Sequence, residues 1–280
     1  MDTLDATGTM LDATGWRPLW KDDFRGPHGA PLDHERWKVI VGKPWASGME
    51  SYADDTTHLH LDGDGHLAMT ATHDEDNGYV SAWIETRRED FVPPPGGALR
   101  VRARVRTAPG LGVDCAMFAW ANRMRHLGEQ EPLQGWYQSG EIDLFEVVNS
   151  EPARVYGVVH SPECHQLPSL GMGTFTSTAD GSPLSDDYHT YTTVWTHDPD
   201  SITWYLDGTP YLRLTPEDTT AKGWLFTQPV YFGLLIVIGS PGGPILPGDP
   251  DPAAFPTTMF VDEVTIEELP PGGGAPNLVP

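Results

Sequence analysis

The sequence predicts an all-β fold, a sandwich or barrel, on three observations. Alternating apolar and polar runs of five to ten residues recur along the 280-residue chain, and no longer segment keeps a helical period. Thirty Gly and 27 Pro supply the turns between those runs. Hydrophobic residues at 39% and aromatics at 10% give enough apolar surface for one sizeable core.

The elements follow in order. Thr57–Leu61 and His66–Thr72 alternate with period two around Asp62-Gly63-Asp64-Gly65, the pattern of a hairpin. Ala98–Thr107 is a clean alternating strand whose polar face is four arginines. Thr190–Trp195 and Ser201–Leu206 flank a Pro/Asp turn, and Asp207-Gly208 leads into Pro210–Leu214. Phe260–Ile266 closes the series. The expected organisation is a flexible segment at 1–15, one all-β domain at 16–269 and a flexible Pro/Gly tail at 270–280.

Charge and cysteine usage narrow the partners. The formal net charge is −23, which repels nucleic acid and anionic membranes and leaves neutral ligands. The longest apolar run, Val230–Ile238, is too short to span a bilayer. Met1–Gly15 lacks the basic and apolar regions of a signal peptide, so the chain is expected in the cytoplasm or is a mature secreted form. With only Cys115 and Cys164, either one bridge or two free thiols is open, and a disulfide scaffold is excluded. A monomer is expected.

One segment carries chemistry: Gly140-Glu141-Ile142-Asp143-Leu144-Phe145-Glu146-Val147-Val148. In a regular strand Glu141 and Asp143 share a face and Glu146 points to the other. A β-bulge near Leu144-Phe145 returns Glu146 to the acidic face. The bulged run then spans ~13 Å, and inward-leaning side chains bring the two Glu carboxyls ~5–6 Å apart, the gap of a retaining glycosidase. Three crowded carboxyls cannot all ionise cheaply, so at least one pKa must rise. An acidic solvent-facing stripe is the alternative, but the intervening Ile142, Leu144 and Phe145 are apolar.

These residues resemble the E-x-D-x-x-E signature of glycoside hydrolase family 16, in the bulged form of its laminarinase-like members. The resemblance extends to Trp20–Gly26, Leu32-Asp33, Trp37, Trp136 before the acidic strand and Val158-Val159-His160. It continues through Tyr188–Tyr191, Trp195, Ile202–Gly208, Gln228-Pro229 and Phe255–Asp262. It implies a β-jelly roll of two curved antiparallel sheets and a retaining endo-acting β-glycoside hydrolase. It also implies Glu141 as nucleophile, Asp143 as its assistant and Glu146 as acid/base.

No cofactor is expected for catalysis. Family members often carry a structural Ca²⁺, for which Asp23, Asp262 and a carbonyl near Gly65 are the matching positions. Trp136, Trp120, Trp45 and Trp83 are candidates for stacking on sugar rings, and His160 for a hydroxyl contact, while Trp195 and Trp204 are assigned to the core. His160, Glu163, Cys164 and His165 match no metal spacing and read as a loop.

Three departures concern the ligand wall. Trp83 stands where the family has a sugar-contacting Arg. Asp114 and Phe118 stand at the two tryptophan positions of its G-x-W-P-A-F-W stretch, and Leu235–Ser240 replaces its N-L-A-V-G-G. The expectation is weak activity on laminarin and a different substrate, either a modified polysaccharide or a compact intracellular molecule. A non-hydrolytic carbohydrate-binding protein of the same fold is the remaining alternative.

Overall fold

The structure is a computed structural model that describes residues 3–4, 10–11, 15–44, 48–126, 132–162, 171–219, 223–239 and 249–272. In chain order its first strands are β1 (Thr3–Leu4), β2 (Met10–Leu11), β3 (Arg17–Asp22), β4 (Trp37–Val39) and β5 (Ser51–Tyr52). Next come β6 (Leu59–Leu61), β7 (Leu67–Asp74), β8 (Gly78–Ser81), β9 (Trp83–Thr86) and β10 (Gly97–Arg106). Strand β11 (Val113–Ala121) leads through one helix, α1 (Pro132–Ser139), into β12 (Glu141–Val148), β13 (Arg154–His160) and β14 (Gly171–Ser177). The last are β15 (His189–His197), β16 (Ser201–Leu206), β17 (Thr209–Leu214), β18 (Val230–Ile238) and β19 (Thr257–Leu269).

β1 and β2 pair only with each other, and the remaining strands form two packed sheets, a jelly-roll sandwich. One runs β17-β16-β15-β10-β19-β7-β8-β5, with β3 added at β19 and β6 at β7. The other runs β14-β13-β12-β11-β18-β9-β4. Pairing is antiparallel apart from the short β5–β8 contact, so each strand can bury one face and turn the other outward.

Local sequence explains the pieces. On β10, Leu99, Val101, Ala103 and Val105 enter the core while the arginines face out. Asp62 closes the β6–β7 hairpin by accepting the Asp64 and His66 amides at 2.8 and 2.9 Å. Asp207 and Gly208 both hold positive φ (48° and 79°), as a tight turn between twisted strands requires. Trp204 and Trp195 are buried as expected, at 0% and 3% exposure. Cys115 is a free, buried thiol. Cys164, Glu163 and His165 lie outside the described residues, as does Trp45.

Among the described residues, no helix is long and apolar enough to cross a membrane. Helix α1 is the one regular helix described; at eight residues it is shorter than a periodicity search resolves.

Candidate active site

Strand β12 lies inside the seven-stranded sheet, between β11 and β13. Its register against β11 pairs Phe118 with Asp143 and Met117 with Phe145, so Leu144 is the extra residue of a bulge. Leu144 and Phe145 both join the core between the sheets, as does Ile142. The consequence is the one the sequence requires: Glu141, Asp143 and Glu146 share the face turned away from that core.

The neighbouring strands place the partners. Across β13, Glu141 faces His160 and Glu146 faces Tyr156. Across β11, Glu141 faces Trp120, which in turn faces Tyr231 on β18. Trp120 donates its indole N–H to Oε1 of Glu141. Trp136 donates to Oε2 of the same carboxylate at 2.6 Å. Its helix ends at Ser139, and Gly140, with a φ of +81°, turns the chain sharply into β12 and brings Trp136 back over Glu141. His160 Nε2 lies 3.0 Å from Oδ2 of Asp143. From the core side, Trp204 Nε1 donates to the Asp143 carbonyl at 2.7 Å and pins the strand just before its bulge.

Burial sets the electrostatics. Glu141 and Asp143 are 8% and 3% exposed, whereas Glu146 keeps partial access to solvent. Desolvation pushes all three carboxyls above their ordinary range. Repulsion from Asp143 adds to the rise at Glu141, and repulsion from Glu146 and Asp114 adds to it at Asp143. His160 and the two indole donors pull Glu141 back down. His160 alone does so for Glu146. The N–H donors therefore converge on Glu141, which suits it best of the three to carry the negative charge.

Donor atoms of Glu141, Asp143 and His160 lie within 4.8 Å of one another, close enough to consider a metal. Each oxygen of Glu141 already faces an indole N–H, which disfavours an approaching cation and favours a held anion.

The remaining expected residues fall into two groups. Trp83 and Trp120 do reach the face that carries the three carboxyls, but neither offers an open plane. Trp83 is 2% exposed and packs edge-on against Tyr52, Phe118 and Trp120. The Phe118 ring crosses Gly233, where an added Cβ would come within 2.1 Å of it. Asp114 is buried on the same face, and its Oδ1 has no hydrogen-bond partner. Trp83 Nε1 and His160 Nδ1 are likewise buried and unpaired. Buried polar atoms normally find partners, and these three lie on the same side of the sheet as the carboxyls.

Asp23, Asp262 and Gly65 line one surface pocket with Asp64 and Glu263. Their charges are engaged there: Asp23 with Arg25 at 3.3 Å, Asp262 with Arg104 at 2.6 Å and Glu263 with Lys21 at 2.9 Å. The oxygens for a calcium ion are present, but the ion would compete with two guanidinium groups.

Two features escape sequence reasoning. Glu50, fully buried, accepts the Tyr52 hydroxyl at 2.6 Å and the Ile238 amide at 2.8 Å. Arg125 lies over the Tyr231 ring, 4.0 Å from its centroid, and pairs with Glu85 at 3.4 Å. Tyr52 is only two residues from Glu50, but Ile238 and both partners of Arg125 come from strands distant in sequence, so no local pattern marks either group.

Comparison with known proteins agrees with this geometry. The sequence profile described as glycosyl hydrolases family 16 matches residues 97–239, just over half the chain. The chain belongs to that family. It is 29% identical to a β-glucanase of Rhodothermus marinus over 264 residues, spanning 91% of this chain and 86% of that protein. The fold superposes on an endo-1,3-β-glucanase from Streptomyces sioyaensis with a TM-score of 0.80 and 27% identity, covering 93% and 99% of the two chains. An endo-β-1,3-glucanase from Pyrococcus furiosus gives 0.76 and 28%, covering 94% and 98%. The protein is an endo-acting β-glycoside hydrolase, and its partner is a carbohydrate.

Proposed function

We propose that this family 16 chain is a retaining endo-β-glucanase in which Glu141 is the nucleophile and Glu146 the acid/base. The observation that carries the reading is the bulge at Leu144, which gathers three carboxyls on one face while two indoles orient only Glu141. Glu141 attacks the anomeric carbon as Glu146 gives its proton to the glycosidic oxygen, and the C–O bond to the leaving sugar breaks. Glu146 then takes a proton from water, whose oxygen displaces Glu141 and regenerates both carboxyls. Asp143, with His160 at 3.0 Å, holds a proton beside Glu141 and keeps its carboxylate aligned.

The glucan assignment draws on the glucanase relatives, which match over almost the whole chain. A second reading, a modified polysaccharide or compact ligand, is favoured by the packed wall. Trp83, Phe118 and Tyr231 are each 2% exposed and leave no broad aromatic plane at that position. Assay of laminarin, lichenan, agarose, carrageenan and galactan at matched protein concentration separates the two. Release of β-glucan oligosaccharides supports the first reading, and turnover restricted to the galactans overturns it.

A structural calcium ion at Asp23, Asp262 and the Gly65 carbonyl is a lesser part of the proposal, supported by their shared pocket. Its test is thermal melting in calcium against chelator, and an unchanged Tm removes it.

A further inference from the structure

The outward face of the seven-stranded sheet continues past the carboxyls in a row that leads to an exposed aromatic ring. Glu146 on β12 faces Tyr156 on β13, and Tyr156 faces Phe175 on β14. Parity confirms the direction. Val155 and Val159 on β13 and Met172 on β14 enter the core between the sheets, so Tyr156 and Phe175 stand on the opposite, catalytic side.

Phe175 is 43% exposed. A single exposed apolar side chain is ordinary by itself. Its position and its support are not. Tyr156 lies 5.5 Å from the ring, and the Arg154 guanidinium sits 4.3 Å from its centroid. Glu151 accepts both the Tyr156 hydroxyl and an Arg154 N–H, so one carboxylate ties down the two groups that frame the ring. Burial lifts the Tyr156 hydroxyl above its ordinary range, so it stays a donor to Glu151 at neutral pH.

We propose that Phe175 is a stacking platform for a pyranose ring of the substrate chain, on the Glu146 side of the bond being cleaved. Two strand spacings, about 10 Å, separate β14 from β12, the reach of about two sugar rings. The flat C–H face of a pyranose matches an aromatic plane held in place by Arg154 and Tyr156. The platform makes the enzyme favour extended glycans over short glycosides. This inference rests on the glycoside hydrolase reading of the same face.

The experiment compares wild type, Phe175→Ala and Phe175→Tyr on a soluble β-glucan polymer, on β-gluco-oligosaccharides of increasing length and on a short aryl β-glucoside. Circular dichroism melting checks that each variant is folded. The expected result for Phe175→Ala is a five- to tenfold fall in the ratio of kcat/KM on polymer to kcat/KM on the aryl glycoside. Most of the fall should lie in KM, and Phe175→Tyr should restore it. An unchanged ratio in Phe175→Ala overturns the platform. So does an equal loss on every substrate. Failure of wild type to cleave any β-glucan instead removes the functional reading, which keeps the two failures distinct.

Discussion

Strands β10 and β12 are both crowded with like charges, and the molecule treats them in opposite ways. On β10 each arginine finds a partner. Arg100 and Arg102 meet Glu267 at 2.8 and 3.0 Å, Arg104 meets Asp262 at 2.6 Å, and Arg106 covers the Phe260 ring at 4.7 Å. The cationic ladder of that sheet is therefore a structural surface on which every guanidinium is held by a carboxylate or a ring. On β12 three carboxyls share a face with two indoles and one histidine, and no arginine or lysine among the described residues pairs with them. Charge left uncompensated in a buried place costs stability, and such a cost concentrates where chemistry uses it. That uncompensated charge is what supports the proposed active face on β12.

The largest expected effect breaks the β12 side of this comparison. Glu141→Gln and Glu146→Gln should each lower kcat by roughly a thousandfold or more, measured by reducing-sugar release. Azide should partly rescue an alanine at one of these positions through a glycosyl azide. Near-normal turnover in either Gln variant would remove the assigned roles.

Breaking the β10 side should instead cost fold stability. Arg100→Met leaves Glu267 with only Arg102, and the side chains of the Arg100–Glu267 pair are 5% and 13% exposed. We expect a loss of about 2–3 kcal/mol in denaturant unfolding, with kcat unchanged. A neutral result would mean that the outer ladder is dispensable.

Trp120→Phe sharpens the electrostatic part. Removing one N–H donor from Glu141 raises its pKa further, since that donor favours the charged form. In the proposed mechanism Glu141 attacks as the carboxylate, so the acidic limb of the pH–rate profile should move to higher pH, with about a tenfold fall in kcat. An unmoved limb would show that the indole does not hold the carboxylate's charge.

The smallest effect is on stability against pH. Burial and like charges raise Asp143 above its unfolded value, so the native state binds more protons than the unfolded chain between the two pKa values. Wild type therefore loses stability as pH rises from about 4 through the folded pKa. Asp143→Asn cannot lose that proton, and it should be more stable than wild type at pH 7 by denaturant unfolding. The gap should close toward pH 4. Equal stability across that range would mean that Asp143 is not strained by its neighbours.

The sequence by itself determined the alternation that builds both sheets, and the face on which the arginines of β10 stand. Spacing within the hexapeptide also required a bulge, because Glu141 and Glu146 differ in parity while Ile142, Leu144 and Phe145 need a core. These are local constraints, carried by a side-chain period of two. Tertiary structure decided the rest. Whether Trp83 is an open plane or a buried wedge depends on Tyr52 and Phe118, which arrive from other strands. The two indoles on Glu141 come from β11 and from α1, and their convergence depends on the strand register and on the turn at Gly140. Phe175 joins the catalytic row only because β14 pairs with β13 in one register. Such contacts link segments far apart in the chain, where periodicity carries no information and only the packing of strand on strand fixes who meets whom.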